Sequence, residues 1–264
     1  NAWGSEVNSE RFTLSNKTGY VFPDTPYKSI GLQNSFQSHR QDSYFGLNSY
    51  DIHQKSWYGN LIYNSIIGNT QHKFATGLSG TYDDYNEQLT TSALAGDFSR
   101  IDRSVGAFFE YTYDNSSNFS FVAGIRADSH NNLGNFITPR FHLRYNPWKE
   151  ATFRLSAGRG KRAANVIAEN QQLLASSRQL HIIGGDGGKL YGLNPEIAWN
   201  YGASFLQAFK IWGKNAELSV DLYRTHFDNQ VVVDLDHSPQ QALFYNLDGK
   251  SFANSLQAEV SISP

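Results

Sequence analysis

Two consecutive stretches, 137–145 and 151–158, alternate so strictly that they limit what this chain can become. Pro139, Phe141, Leu143 and Tyr145 share one face of the first, against Thr138, Arg140, His142 and Arg144. In the second, Ala151, Phe153, Leu155 and Ala157 stand against Thr152, Arg154, Ser156 and Gly158. Side chains of a strand point to opposite faces with period two, so the pair is an antiparallel hairpin turning at 146–149, with one oily face and one polar face. The polar face carries three arginines, Arg140, Arg144 and Arg154, and His142.

The same pattern recurs at 11–22, 27–37, 54–66, 72–82, 104–113, 119–127, 199–209, 218–222 and 255–262, which with the hairpin predicts eleven strands. Aromatic residues make up 14% and charged residues 17% of the 264 positions, a balance that suits a pleated surface. The connections alternate too. Short turns fall at 68–71, 114–117, 146–149 and 212–215; longer links fall at 38–49, 83–102, 128–135, 159–196 and 227–251. Tight turns at one end and elaborate loops at the other are the layout of an outer-membrane barrel. Strands of about nine to eleven residues reach across a bilayer when tilted. Tyr111, Tyr113, Tyr145, Trp148, Trp199, Tyr201 and Trp212 lie near strand ends, as an interfacial girdle does. A soluble lipocalin-type barrel or β-sandwich also alternates, with its oily face inward, so period two alone leaves that ligand-binding module open. A passive outer-membrane porin is open as well.

A formal net charge of -2 gives no basic footprint for nucleic acid, and with no cysteine there is neither a disulfide framework nor a thiolate metal site. No apolar run reaches the length of a membrane helix. No Ser/His/Asp ordering, facing acid pair or His cluster marks a catalytic centre, so no enzyme and no cofactor are expected. Gly158-Arg159-Gly160-Lys161-Arg162 looks like a phosphate cradle but lacks the strand–loop–helix motif, and reads as a strand emerging into a basic loop. The composition of 163–174 predicts a short helix in that loop. Gly184 to Gly188, with Asp186 at its centre, reads as a flexible tip. Asp234, Asp236 and His237 sit close enough in sequence to hold a cation, although further ligands are not evident.

Particular stretches resemble a known family. Those at 136–145 and 152–160, Asn165-Val166-Ile167-Ala168-Glu169, and above all Leu193-Asn194-Pro195-Glu196 leading into an aromatic strand at 197–202, are similar to the barrel of TonB-dependent outer-membrane receptors, in the manner of the Bacteroidetes group. The resemblance implies an all-β fold: an antiparallel transmembrane β-barrel, of which residues 1–264 are a partial barrel domain. It would be about half of a 22-stranded barrel, with long extracellular loops and without the plug domain. It further implies the cell outer membrane as location and import of a scarce nutrient such as a ferric siderophore or cobalamin. The partners would be outer-membrane lipid, the small-molecule ligand and, through the plug, the TonB complex. Inside such a barrel Arg126, Arg140, His142, Arg144 and Arg154 would form a positive wall for plug carboxylates or an anionic substrate. Loop and lumen candidates for ligand contact are Arg140, His142, Arg144, Arg154, Arg159, His181, Asp186, Tyr191, Asp234, Asp236 and His237, with the loops around 159–196 and 227–250 as the capturing elements.

Overall fold

A computed structural model describes residues 3–184 and 190–263. Asp186 and the rest of the glycine-rich tip at 185–189 lie outside the described residues. The strands are β1 (Ser5–Val21), β2 (Ser29–Phe45), β3 (Asn48–Ile67), β4 (Asn69–Thr90), β5 (Ala95–Asp97), β6 (Arg100–Asp114), β7 (Phe119–His130), β8 (Gly134–Tyr145) and β9 (Ala151–Arg162). After a 3-10 helix (Ala168–Ala175) come β10 (Gln179–Ile182), β11 (Glu196–Ile211), β12 (Lys214–Asn229), β13 (Val231–Asp234), β14 (Gln241–Asn246) and β15 (Ser251–Ile262).

Eleven of these strands pair antiparallel in the order β1-β2-β3-β4-β6-β7-β8-β9-β11-β12-β15, with the short β5 added beside β4. Each strand neighbours the next long strand in sequence, because every connection is a hairpin or returns to its own edge. The expected eleven-strand meander is therefore present. Its faces are the expected ones: Ala123, Phe141 and Ala157 stand in register on one face, and Arg144 stands opposite Arg154 on the other.

Several strands run further than their alternation announced. The stretch 38–49 is no long loop: β2 and β3 continue through it to a two-residue turn at Gly46-Leu47. Likewise β4 extends through 83–90 and β6 begins at Arg100, so only 91–99 connects them. The physical reason is visible in Arg40, Asp42, Asp84 and Asn86, which put polar groups on the face that is oily elsewhere. Once both faces meet water the period-two signal fades, while the backbone ladder continues. The expected helix at 163–174 is a 3-10 helix over Ala168–Ala175, interrupted at Asn170, whose φ of -131° is not helical.

At the tight end, β11 and β12 join through Trp212-Gly213, both at positive φ (51° and 77°), the primed turn whose twist matches a hairpin. At the loop end the long connections fold together on the polar face of the sheet. Tyr50 and Leu89 from β3 and β4 pack with Val166, Ile167 and Leu174 of the 163–195 connection. Leu180, Ala242 and Phe244 join them from a separate three-stranded sheet, β10-β14-β13. Between β4 and β9 lie β6, β7 and β8, so the connection leaving β9 crosses about 19 Å of sheet, four strand spacings, to reach β4, and one spacing more to reach β3. It lies across the polar face as a cap. The core of this cap holds nearly every buried apolar side chain among the described residues; outside that cluster only Ala151, Leu190 and Ala216 are buried. Among the described residues nothing is layered on the oily face of the main sheet: Ile125, Ile137 and Leu222 are about half exposed. A soluble sandwich would bury that face, and this chain does not.

Because the cap owes its cohesion to few large side chains, Leu174→Ala is expected to destabilise it by about 2–5 kcal/mol. Amide exchange should then quicken across 163–195 while β7 to β9 stay protected.

Candidate ligand-binding cap and polar wall

The polar face at β6 to β9 is built by glycines that let long side chains lie flat. Glu110, Gly124 and Arg140 stand side by side in register on β6, β7 and β8. A Cβ on Gly124 would sit 2.9 Å from Arg140 Nε, so only glycine there lets Arg140 reach across β7 and pair with Glu110. Gly106 works the same way beneath Asp128, which takes Arg126 in a two-pronged pair at 2.5–3.0 Å. Two of the wall's cations are thereby neutralised. Arg144 and Arg154 are different. They stand opposite each other, like charge against like, and neither forms an ion pair among the described residues. Arg144 only donates to Asn146 Oδ1, at 3.1 Å. With His142, Asp221 and Tyr223 they line an open groove of about 560 Å³. Arg159 shares the oily face with Leu155 and Ala157 instead, and so does not belong to this wall.

The cap is fastened by a polar network that sequence reading missed. Glu87, 1% exposed, accepts from Tyr50 (2.9 Å), Tyr191 (2.6 Å) and Arg100 (2.8 Å). Arg100 also bonds Asn165 and Asp102, and its guanidinium lies 4.0 Å from the Tyr85 ring. The β4–β6 wall is thus tied to both ends of the 163–195 connection. Burial, then the charge of Glu87, pushes the Tyr50 and Tyr191 phenols up; burial and Asp83 push Tyr85 up to about 12. The only advance signal was that Tyr85, Glu87 and Leu89 continue the alternation of Thr81 and Asp83. Tyr191 is therefore a structural hydroxyl of this latch.

Of the stretches that carried the family resemblance, those at 136–145 and 152–160 lie in β8 and β9, and those at 165–169 and 193–196 lie at the cap. Glu169 and Glu196 both hold Arg162, at 2.8 and 2.7 Å. Val166, Ile167 and Leu193 are core, and Asn165 belongs to the latch.

The remaining candidates gather in the three-stranded sheet. Asp234 Oδ1 accepts the backbone N–H groups of Asp236 and His237 (2.9 and 3.0 Å), and these bonds hold its carboxyl below the usual range. The Tyr245 hydroxyl donates to Asp234 Oδ2 at 3.3 Å. The three residues make a turn rather than a ligand shell, and no group of three metal-ligating side chains occurs among the described residues. Asp234, His237, Tyr245, Asn194 and Asn246 line an open pocket of about 450 Å³. His181 is on β10, its Nε2 buried without a partner among the described residues.

The sequence matches the family described as TonB dependent receptor-like, beta-barrel, over residues 1–260. The chain belongs to the TonB-dependent receptor β-barrel family. Among curated proteins no sequence matches it. Solved structures share its fold at low identity. The Serratia marcescens hemophore receptor HasR, in complex with its hemophore HasA and heme, aligns at 12% identity and TM-score 0.70, over 98% of this chain and 47% of that one. The Pseudomonas aeruginosa siderophore receptor PirA aligns at 13% and 0.63, over 96% and 47%. The Bordetella pertussis alcaligin outer-membrane receptor FauA aligns at 15% and 0.65, over 99% and 45%. The chain spans less than half the length of these receptors. In such a barrel the oily face is the outer one and the polar face lines the bore.

Removing Glu87 leaves Arg100 buried beside Asp102 alone, so Glu87→Ala should cost about 3–5 kcal/mol and open 163–195 to protease. Alkali should act likewise. The folded phenols titrate above the unfolded value of about 10, so their contribution is complete below that pH and is lost as pH rises beyond it. Absorbance of tyrosinate against pH, with and without Glu87, measures this.

Proposed function

We propose that this chain is the substrate-facing part of an outer-membrane receptor that captures a scarce nutrient, such as a ferric siderophore or cobalamin, and imports it with energy from the TonB complex. The observation that carries the reading is the pairing of a capped mouth with a bore wall holding uncompensated positive charge at Arg144 and Arg154, in a barrel of this family. Relatives of the fold include a siderophore receptor and a hemophore receptor, which supports a chelate or chelate carrier as cargo.

The roles divide by height. The cap pocket at Asp234, His237 and Tyr245 makes first contact, and its exposed imidazole and half-buried phenol suit a polar chelate. Below it, the groove at His142, Arg144 and Arg154 meets either the carboxylates of a plug or an anionic ligand on its way down; the exposed like-charge pair favours an acid. The plug and further barrel strands, which complete the bore, belong to the full-length receptor.

The test uses the full-length protein in cells starved of iron, offered radiolabelled ferric siderophores, and separately cobalamin. His237→Ala with Tyr245→Phe should weaken surface binding about tenfold, while Arg144→Glu with Arg154→Glu should lower uptake and leave binding intact. Unchanged binding and uptake in both variants rejects the assignment.

A further inference from the structure

The outer face changes character at the loop end. On β9 the outward series Phe153, Leu155, Ala157 gives way to Arg159 and Lys161; on β12 the series Leu218, Val220, Leu222 gives way to Arg224 and His226. Trp199 and Tyr201, on β11 between them, stack at 6.1 Å with planes 6° apart. Trp199 stands beside Arg159 and Tyr201 beside Arg224. This is the belt where a barrel leaves the hydrocarbon.

At two other places along that boundary a cation meets an acid: Lys55 stands opposite Asp84, and Arg40 holds Asp42 at 2.8 Å. At β9 to β12 they do not. Neither Arg159 nor Arg224 forms an ion pair among the described residues, and the one acid of the patch, Asp228, lies 4.0 Å from His226. Arg159 donates to Ile137 O at 3.3 Å, and Arg224 to Asn254 Oδ1 at 3.4 Å while lying over the Phe252 ring. A guanidinium has five N–H donors in a fork that fits phosphate, so most of that capacity is unused. The two arginines stand two strands and two residues apart, about 12 Å between backbone positions, within reach of one bulky anionic headgroup.

Directly below Arg224 the same face opens into a groove of about 680 Å³, walled by Leu155, Ala157, Ala203, Leu222 and Leu256. Small side chains at Ala157 and Ala203 form its floor, and Leu222 and Leu256 are 50% and 69% exposed. A cationic clamp above an apolar trough matches one kind of molecule, with phosphate at one end and acyl chain at the other.

We propose that this patch binds a phosphorylated membrane lipid, its phosphate held by Arg159 and Arg224 and an acyl chain lying in the groove. The site rests on the oily face meeting lipid, and not on which nutrient is imported. A lipid seated there would steady the β9–β11–β12 hairpins from which the cap connections rise.

The test is native mass spectrometry of the full-length protein in mixed micelles with phosphorylated lipid A, and in parallel with its dephosphorylated form. Wild type should retain the phosphorylated lipid about tenfold better. Arg159→Gln with Arg224→Gln should erase that preference with the barrel still folded by its heat-modifiable migration. Ala203→Trp, which fills the groove and keeps the arginines, should lower retention of both lipids. Equal retention of the two lipids by wild type, or an unchanged preference in the arginine variant, overturns the proposal. Neither result bears on transport, which is read separately by uptake.

Discussion

A strand crossing lipid must find a partner for every backbone N–H and C=O, because no water is there to serve. That constraint organises this chain. Its main sheet is one antiparallel ladder with two register irregularities, at Ile66/Ile67 and Ile197/Ala198, and both fall near strand ends. Side chains are then free to divide by face. Phe, Leu and Ile look outward without covering, and Arg, Ser, Gly and Asp line the other side. In water such a sheet would need a second layer over its oily face. Here the cohesion that a soluble domain finds in its core is displaced to the cap, over the polar face.

The division explains how much could be read in advance. Where one face met lipid and the other a polar bore, as at Phe141/His142 or Leu155/Arg154, alternation was complete, and strand number, order and facing all followed. Where β2, β3 and β4 rise past that zone, polar residues such as Arg40 and Asp84 occupy the outward positions and the pattern reads as loop. The cap was illegible for another reason. Its core joins Tyr50 to Leu174 and Leu180 to Phe244, contacts between distant segments with no local period. Residues such as Glu87 and Arg100 show their meaning only when the wall of β4 and β6 meets Asn165 and Tyr191.

The candidate site was legible in part. The row Arg140, His142, Arg144, Arg154 does share one wall, but Glu110 neutralises Arg140 by a route that depends on Gly124, a relation among three strands. The sequence stretches that mark the family, around 165–169 and 193–196, bear on cap assembly: Arg162 clasps Glu169 and Glu196, and Val166, Ile167 and Leu193 fill the core. Part of the family resemblance thus marks how the cap is assembled, and the rest, at 136–145 and 152–160, lies in β8 and β9. The pocket beside Asp234 and His237, proposed to meet cargo, carries no such signature.

The central claim is that alternate residues of β9 and β12 face lipid and bore. Because the chain has no cysteine, single cysteines at Leu155, Leu222, Arg154 and Asp221 in the reconstituted protein can each carry a spin label. Relaxation by oxygen, which concentrates in lipid, is then compared with relaxation by a water-soluble nickel chelate. Labels at Leu155 and Leu222 should respond to oxygen and labels at Arg154 and Asp221 to nickel. The same response at all four positions, or the reverse assignment, would contradict the account.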